Sequence, residues 1–367
     1  MANVLIYGDT IRSPELRHEV PVPAPDPFIY VEQNGSRYVF VGSLEVPRMR
    51  EVDGLEPVPL EELGIDELIQ QGKRWHETAP ELILRACRRT GVEDAVTPRD
   101  FPVELADYLR ANDVRVQPEG ALFDERRRVK TEAELAGIRL GQRSCERAMD
   151  AIRAALRAGG QVSCEDLRAE ANRVFSEAGV TTPDIVIVSH GPQTAVGHEP
   201  GHGPIAAGEP VVVDLYPREP ESGCYADMTR TFCLGEPPEE LVRYHALVRQ
   251  ALELTAGSIR PGVRGADLHR AVCDFFEAEG FPTQLSKQPG EVLEDGFFNS
   301  LGHGVGLEVH EAPSLGRNGE ELVAGDVLAV EPGLYRTGFG GCRLEDLVLV
   351  TADGGETLTD YPYDLAP

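Results

Sequence analysis

Basic residues, tryptophan and long apolar runs are scarce in this sequence, and each shortage excludes something. Acidic residues outnumber basic ones by 62 to 35 in a chain of 367, a formal net charge of −27. A nucleic-acid backbone needs a basic face, so nucleic acid is excluded as a partner and the charge reads as a solvated acidic surface. No apolar run approaches the roughly 18–20 residues that span a bilayer. The opening MANVLIYGDT has no basic n-region, so neither a membrane segment nor a signal peptide is expected. Seven cysteines, an odd number without a C-x-x-C pair, suit a reducing cytoplasm better than a disulfide framework. The lone tryptophan, Trp75, has core packing as its default reading and an aromatic lip on a pocket as the alternative.

What is present is the composition of an ordinary globular protein, long enough for about two domains at ~150 residues each. Residues 1–125 mix short strand-like runs (VLIY, FIYVE, RYVFV) with helical stretches such as PELILRACRRT, which predicts a small α/β domain. The composition changes near QPEGALFDERRRVKTEAEL, and residues 129–367 are assigned to a second domain. Arg126, Arg127, Arg128 and Lys130 are expected to form a solvated linker face. Thr131 and Glu134 make a capping box that opens a helix through about Leu156. Further helices are predicted over 163–178, about 238–257 and 265–279.

The second domain contains an internal repeat. AGEPVVVDL at 207–215 matches AGDVLAVEP at 324–332, which places Asp214 opposite Glu331. Upstream, HGPQTAVGHEPG echoes HGVGLEVHEAPS, aligning His190 with His303 and His198 with His310. Downstream, YADMTRTFCL and CRLEDLVLV align Asp227 with Glu345. Each copy follows two predicted helices, so a duplication with two half-sheets about a pseudo-twofold axis is expected. The glycines of LGHGVGLEVHE do not form a phosphate loop, because the segment runs into LEVHEAP and Pro313 rather than into a helix.

The repeat concentrates acids. In the return strand after VVVDLY and the turn PREPESG, Tyr225, Asp227, Thr229 and Thr231 share one face by period two. Asp214 and Asp227 can therefore meet across a hairpin. In the second copy Glu331 ends a strand, RTGFGG turns, and Arg343, Glu345 and Leu347 share a face of the return strand. Four carboxylates in one pocket repel and take up protons unless compensated. Two divalent cations balance four negative charges, and the imidazole of His303 completes the shell. Such ligation suits Mn2+, Co2+, Fe2+ or Zn2+. A carboxylate-bridged metal pair binds hydroxide and polarises a carbonyl, an arrangement for hydrolysis.

The ordered set Asp214, Asp227, His303, Glu331 and Glu345, in the contexts GCYADMTRTF, GHGVGLEVHE, VEPGLY and CRLED, resembles the pita-bread metallopeptidases. Within them it is similar to the Xaa-Pro aminopeptidase and prolidase branch, over about residues 129–360. The resemblance implies an α+β pita-bread catalytic domain behind a creatinase-type N-terminal cap. It implies that Asp227 and Glu345 bridge two metals, Asp214 binds one, and His303 and Glu331 bind the other. Glu331 would also accept the proton of the attacking water, His198 and His310 would contact substrate, and Arg343 would flank the second bridging carboxylate. His190 is not used. Two divalent ions are expected, Mn2+ first, with a peptide substrate carrying proline second and a homodimeric assembly. Xaa-Pro aminopeptidase activity is the first expectation and Xaa-Pro dipeptidase (prolidase) activity the alternative. Creatine-type hydrolysis and a non-enzymatic binding module are disfavoured by the complete ligand set. The PREPESG turn is two residues longer than the family spacing, which preserves strand parity. Asn299 stands where aminopeptidases sometimes carry a second histidine.

Overall fold

The computed structural model describes residues 2–158, 160–182 and 185–367, and its contacts divide into two compact units meeting between Arg127 and Arg128. Among the described residues no helix is long and apolar enough to cross a membrane.

The first unit is α/β. Its sheet contains β1 (Val4–Gly8), β2 (Phe28–Gln33), β3 (Ser36–Val41), β4 (Leu55–Pro59), β5 (Asp94–Thr97) and β6 (Arg115–Pro118). The spatial order is β4-β3-β2-β1-β5-β6. Buried apolar side chains cover both faces: Leu5, Val31 and Phe40 pack with the helix Trp75–Thr90, while Val4, Tyr30 and Val39 pack with Leu16 and Phe123. Trp75 departs from its core assignment. It stands at the first position of its helix, 46% exposed, and lines a small apolar pocket with Tyr7, Phe28 and Leu60, the lip its alternative reading allowed.

The second unit holds two copies of one device. The first has helices Glu132–Arg157 and Cys164–Ala178 on the sheet β7 (Ile187–His190), β8 (Pro210–Leu215) and β9 (Met228–Cys233). The second has helices Glu239–Ala256 and Gly265–Ala278. Its strands are β10 (Asp295–Gly296), β11 (Gly302–Gly304), β12 (Glu311–Ser314), β13 (Val327–Val330), β14 (Gly333–Arg336), β15 (Gly340–Arg343), β16 (Asp346–Val350) and β17 (Gly355–Thr357). These make a sheet β12-β11-β13-β16-β17 and a small sheet β10-β14-β15. Each copy has its own apolar core, one around Met149, Phe175 and Val213, the other around Val248, Phe276 and Leu328. The helix starts follow local chemistry. Thr131 and Glu134 form the expected reciprocal cap at 3.2 and 2.8 Å, and Ser163 with Asp166 repeats it.

Three further expectations change. The basic run is not a solvated face. Arg126 pairs with Glu19 and Glu32 at 2.8 and 2.7 Å in the first unit; Arg128 pairs with Asp326 at 2.7 Å in the second. Lys130 reaches Glu311 at 2.6 Å with both side chains buried. A run of cations whose partners lie far along the chain looks like a linker in sequence.

The alignment of His190 with His303 also shifts. Ile187 pairs with Asp214, whereas the Glu331 amide donates to Leu301, so Ser189, not His190, occupies the place of His303. A one-residue slip reverses the face of a strand. His190 accordingly contacts Glu209 at 2.7 Å, away from the acids.

The single return strand expected after Glu331 is interrupted. β13 pairs with β16, while RTGFGG closes the separate hairpin of β14 and β15.

Candidate metal centre

The ends of paired strands deliver the acids. Asp214 lies near the end of β8 opposite Thr229, and Asp227 immediately precedes β9. Val330 pairs with Asp346, so Glu331 and Glu345 stand one residue beyond that ladder. The half-sheets meet at these termini: the Glu345 amide donates to Thr229 O at 3.0 Å, and the Arg343 amide to Thr231 Oγ1 at 3.0 Å. His303, on β11 opposite Ala329, points to the same place. Gly302 and Gly304 permit this approach, since a Cβ on either would strike the carbonyls of Ala329 and Ala312.

Asp227, His303 and Glu345 each offer a ligand atom within 4.8 Å of the others. His303 Nε2 lies 3.9 Å from Asp227 Oδ2 and 3.6 Å from Glu331 Oε1. Asp214 sits at the edge of the group, where Arg343 Nη2 donates to its Oδ2 at 2.5 Å. Arg343 also reaches Tyr335 OH at 3.4 Å and Thr229 Oγ1 at 3.3 Å. Thr229 in turn donates to Glu345 Oε2 at 2.7 Å. His310 packs edge-on against His303 with ring centroids 4.2 Å apart. The predicted site residues thus come together, with His198 and His310 on the walls. A cavity of about 440 Å3 beside Glu331 is lined by His198, Asn299, Ser300, His310 and Tyr335. A second, of about 250 Å3, is bounded by Asp214, Asp227 and Glu345 with the same histidines.

The electrostatics are those of clustered acids. Burial, then Glu345, Asp214 and Glu331, push the Asp227 carboxyl well above the usual range. Burial, then Asp214 and Glu331, do the same to Glu345. Burial lifts Glu331 to about 7. Burial, then the neighbouring His310, drops His303 to about 3, leaving a neutral imidazole. Acids held this close favour a proton or a cation, and a neutral imidazole beside carboxylate oxygens is the donor set of a hard or borderline divalent metal. The residues present fit such an ion.

Two contributors escaped sequence reasoning. Tyr335 lies four residues after Glu331, but its use of Arg343 depends on the β14–β15 hairpin. Arg230 looks like an ordinary alternating strand residue, yet its side chain is buried behind the centre.

A duplicated α+β unit whose paired strand ends bring four carboxylates and a histidine together defines a pita-bread protein with a candidate metal centre. The chain belongs to the metallopeptidase family M24, whose model matches residues 136–352. It is 30% identical over 244 residues to the "Probable dipeptidase PepE" of Mycobacterium tuberculosis, a match covering 65% of this chain and 60% of that protein. The chain thus spans about three fifths of the length of such curated relatives. It is 29% identical over 286 residues to the Xaa-Pro dipeptidase of Pyrococcus horikoshii, covering 77% of this chain and 76% of that one. The fold matches a Bacillus anthracis Xaa-Pro dipeptidase with TM-score 0.81 at 22% identity, over 100% of this chain and 94% of that chain. It matches the Pyrococcus furiosus prolidase with TM-score 0.79 at 21% identity, over 99% and 97%.

Proposed function

We propose that this protein is a metal-dependent Xaa-Pro dipeptidase, hydrolysing the bond between a first residue and a following proline. The observation that carries the hydrolytic reading is the convergence of Asp227, His303 and Glu345 within 4.8 Å at the wall of a cavity. The similarity to a curated Xaa-Pro dipeptidase over three quarters of both chains reverses the order of the two expectations, putting the dipeptidase ahead of the aminopeptidase.

In this reading Asp214, Asp227, His303, Glu331 and Glu345 would hold two divalent cations, Mn2+ first among them. When bound, such ions supply Lewis acidity toward the scissile carbonyl and lower the pKa of water. Glu331 accepts the proton of the attacking water. His198 and His310 face the scissile carbonyl and donate to the oxygen on which charge develops. Arg343 orients Asp214 through the 2.5 Å contact. A homodimeric, cytoplasmic protein belongs to the same proposal, and light scattering of the purified chain tests the dimer.

The test is product analysis on Ala-Pro and Ala-Pro-Ala, with Mn2+ and with a chelator. Chelator-sensitive release of alanine from Ala-Pro alone is expected. Equal release from the tripeptide would return the protein to the aminopeptidases, and cleavage of neither by metal-loaded protein would overturn the peptidase reading.

A further inference from the structure

Arg230 has the largest fully buried side chain among the described residues, with 1% of the residue exposed. A guanidinium carries five N–H donors in a fixed fork, and here every one has an acceptor. Nε donates to Pro362 O at 3.0 Å, and Nη1 to Thr229 O at 2.9 Å and Glu345 O at 2.8 Å. Nη2 donates to Asp346 Oδ1 at 2.9 Å and Tyr361 O at 3.0 Å. The ring of Tyr363 lies 4.5 Å beneath its Cζ, and the Tyr363 hydroxyl donates to the other oxygen of Asp346.

Two of these acceptors stand at the metal centre. Thr229 is two residues past Asp227, and Glu345 is itself one of the clustered acids. β9 and β16 belong to different sheets, so no continuous ladder sets the spacing between Asp227 and Glu345. The Glu345 amide to Thr229 O bond and the Thr229 Oγ1 to Glu345 Oε2 bond cross the seam, and Arg230 adds a grip on both carbonyls. Two buried carboxylates also repel each other. Nη1 grips the carbonyls of Thr229 and Glu345 together, across the seam between the half-sheets. The charge of Arg230 is matched locally by Asp346, so the guanidinium acts through geometry rather than as a counter-ion to the metal site. A buried ion pair is a weak source of stability, because similar-sized apolar residues often replace one without loss. Stability alone therefore does not account for this one.

We propose that Arg230 is a positioning residue for the metal centre: by clamping the Thr229 and Glu345 carbonyls it fixes the separation of Asp227 and Glu345, and so sets the affinity for divalent metal. The inference rests on the reading of those two acids as metal ligands. It extends that reading to Tyr361, Pro362 and Tyr363, which hold the far side of the clamp.

The experiment is calorimetric titration of the full chain with Mn2+, alongside urea unfolding of the metal-free protein. Arg230→Lys keeps the charge but offers three donors from one point, and Arg230→Met with Asp346→Leu removes the pair together. Both are expected to bind Mn2+ at least tenfold more weakly than the native chain, while the double variant keeps the native urea midpoint. Native Mn2+ affinity in both variants would overturn the proposal. So would a loss of affinity that only tracks a loss of folded protein. If the double variant does not fold, Tyr363→Phe decides: weaker Mn2+ binding supports the clamp, and native binding removes it. Failure of the native chain itself to bind Mn2+ would overturn the ligand assignment, an outcome separate from native binding matched by the Arg230 variants.

Discussion

Arg343 and Asp214, far apart in the chain, meet at 2.5 Å across the seam between the two half-sheets, with side chains only 6% and 13% exposed. Breaking one member of such a pair strands the other, at about 3–5 kcal/mol. Arg343→Ala is therefore expected to lower the melting temperature of the metal-free protein by roughly 10 °C, at about 2–4 °C per kcal/mol for a domain of this size. It should also reduce kcat/KM on Ala-Pro by at least about a hundredfold, since an oriented charge at a reacting centre is worth several kcal/mol. Scanning calorimetry and steady-state kinetics check both, and an unchanged melting temperature would dissolve the pair.

Asp227, from the first half, clusters with His303 and Glu345 of the second. Replacing it with Ala should remove both metals and activity together. Elemental analysis of the dialysed variant gives the count; two retained metals with full hydrolysis would refute the shared role.

Protonation offers a second probe of the cluster. In the metal-free protein burial lifts the Glu331 carboxyl to about 7, from an ordinary value of 4.5. An acid whose folded pKa is raised contributes fully below the unfolded value and loses that contribution as pH rises through the folded one. Glu331→Gln should gain stability over the native metal-free chain by roughly 2–3 kcal/mol between pH 5 and 8, at ~1.4 kcal/mol per pKa unit. Saturating Mn2+ should reverse the advantage. Urea midpoints across this range test it, and a constant difference would place Glu331 in a less buried setting.

The Lys130–Glu311 pair makes a prediction independent of metal. Lys130→Met leaves a buried carboxylate without this partner and should destabilise the protein by about 3–5 kcal/mol, whereas adding Glu311→Leu should restore much of the loss. A double-mutant cycle measures the coupling, and additive effects would mean that the two groups do not interact in solution.

Much of the site was legible because its signal is local. Alternation places Asp227 and Thr229 on one face of a strand, and the repeat places Asp214 and Glu331 at equivalent strand ends. The capping boxes at Thr131 and Ser163 needed only a three-residue span. His190 was misaligned because strand register is set by the partner strand, and a slip of one residue leaves hydrophobic patterning intact in a strand buried on both faces.

The sequence by itself determined the identity and order of the carboxylates, the histidines at 198, 303 and 310, the four long helices and the duplication. These rest on periodicity and on contacts a few residues apart. Only the tertiary structure decided that Arg343 holds Asp214, that Lys130 and Arg128 are paired with acids, and that Arg230 joins Thr229 to Glu345. Each of those contacts closes a loop of more than a hundred residues, and the order of residues along a strand carries no record of which distant strand end will lie beside it.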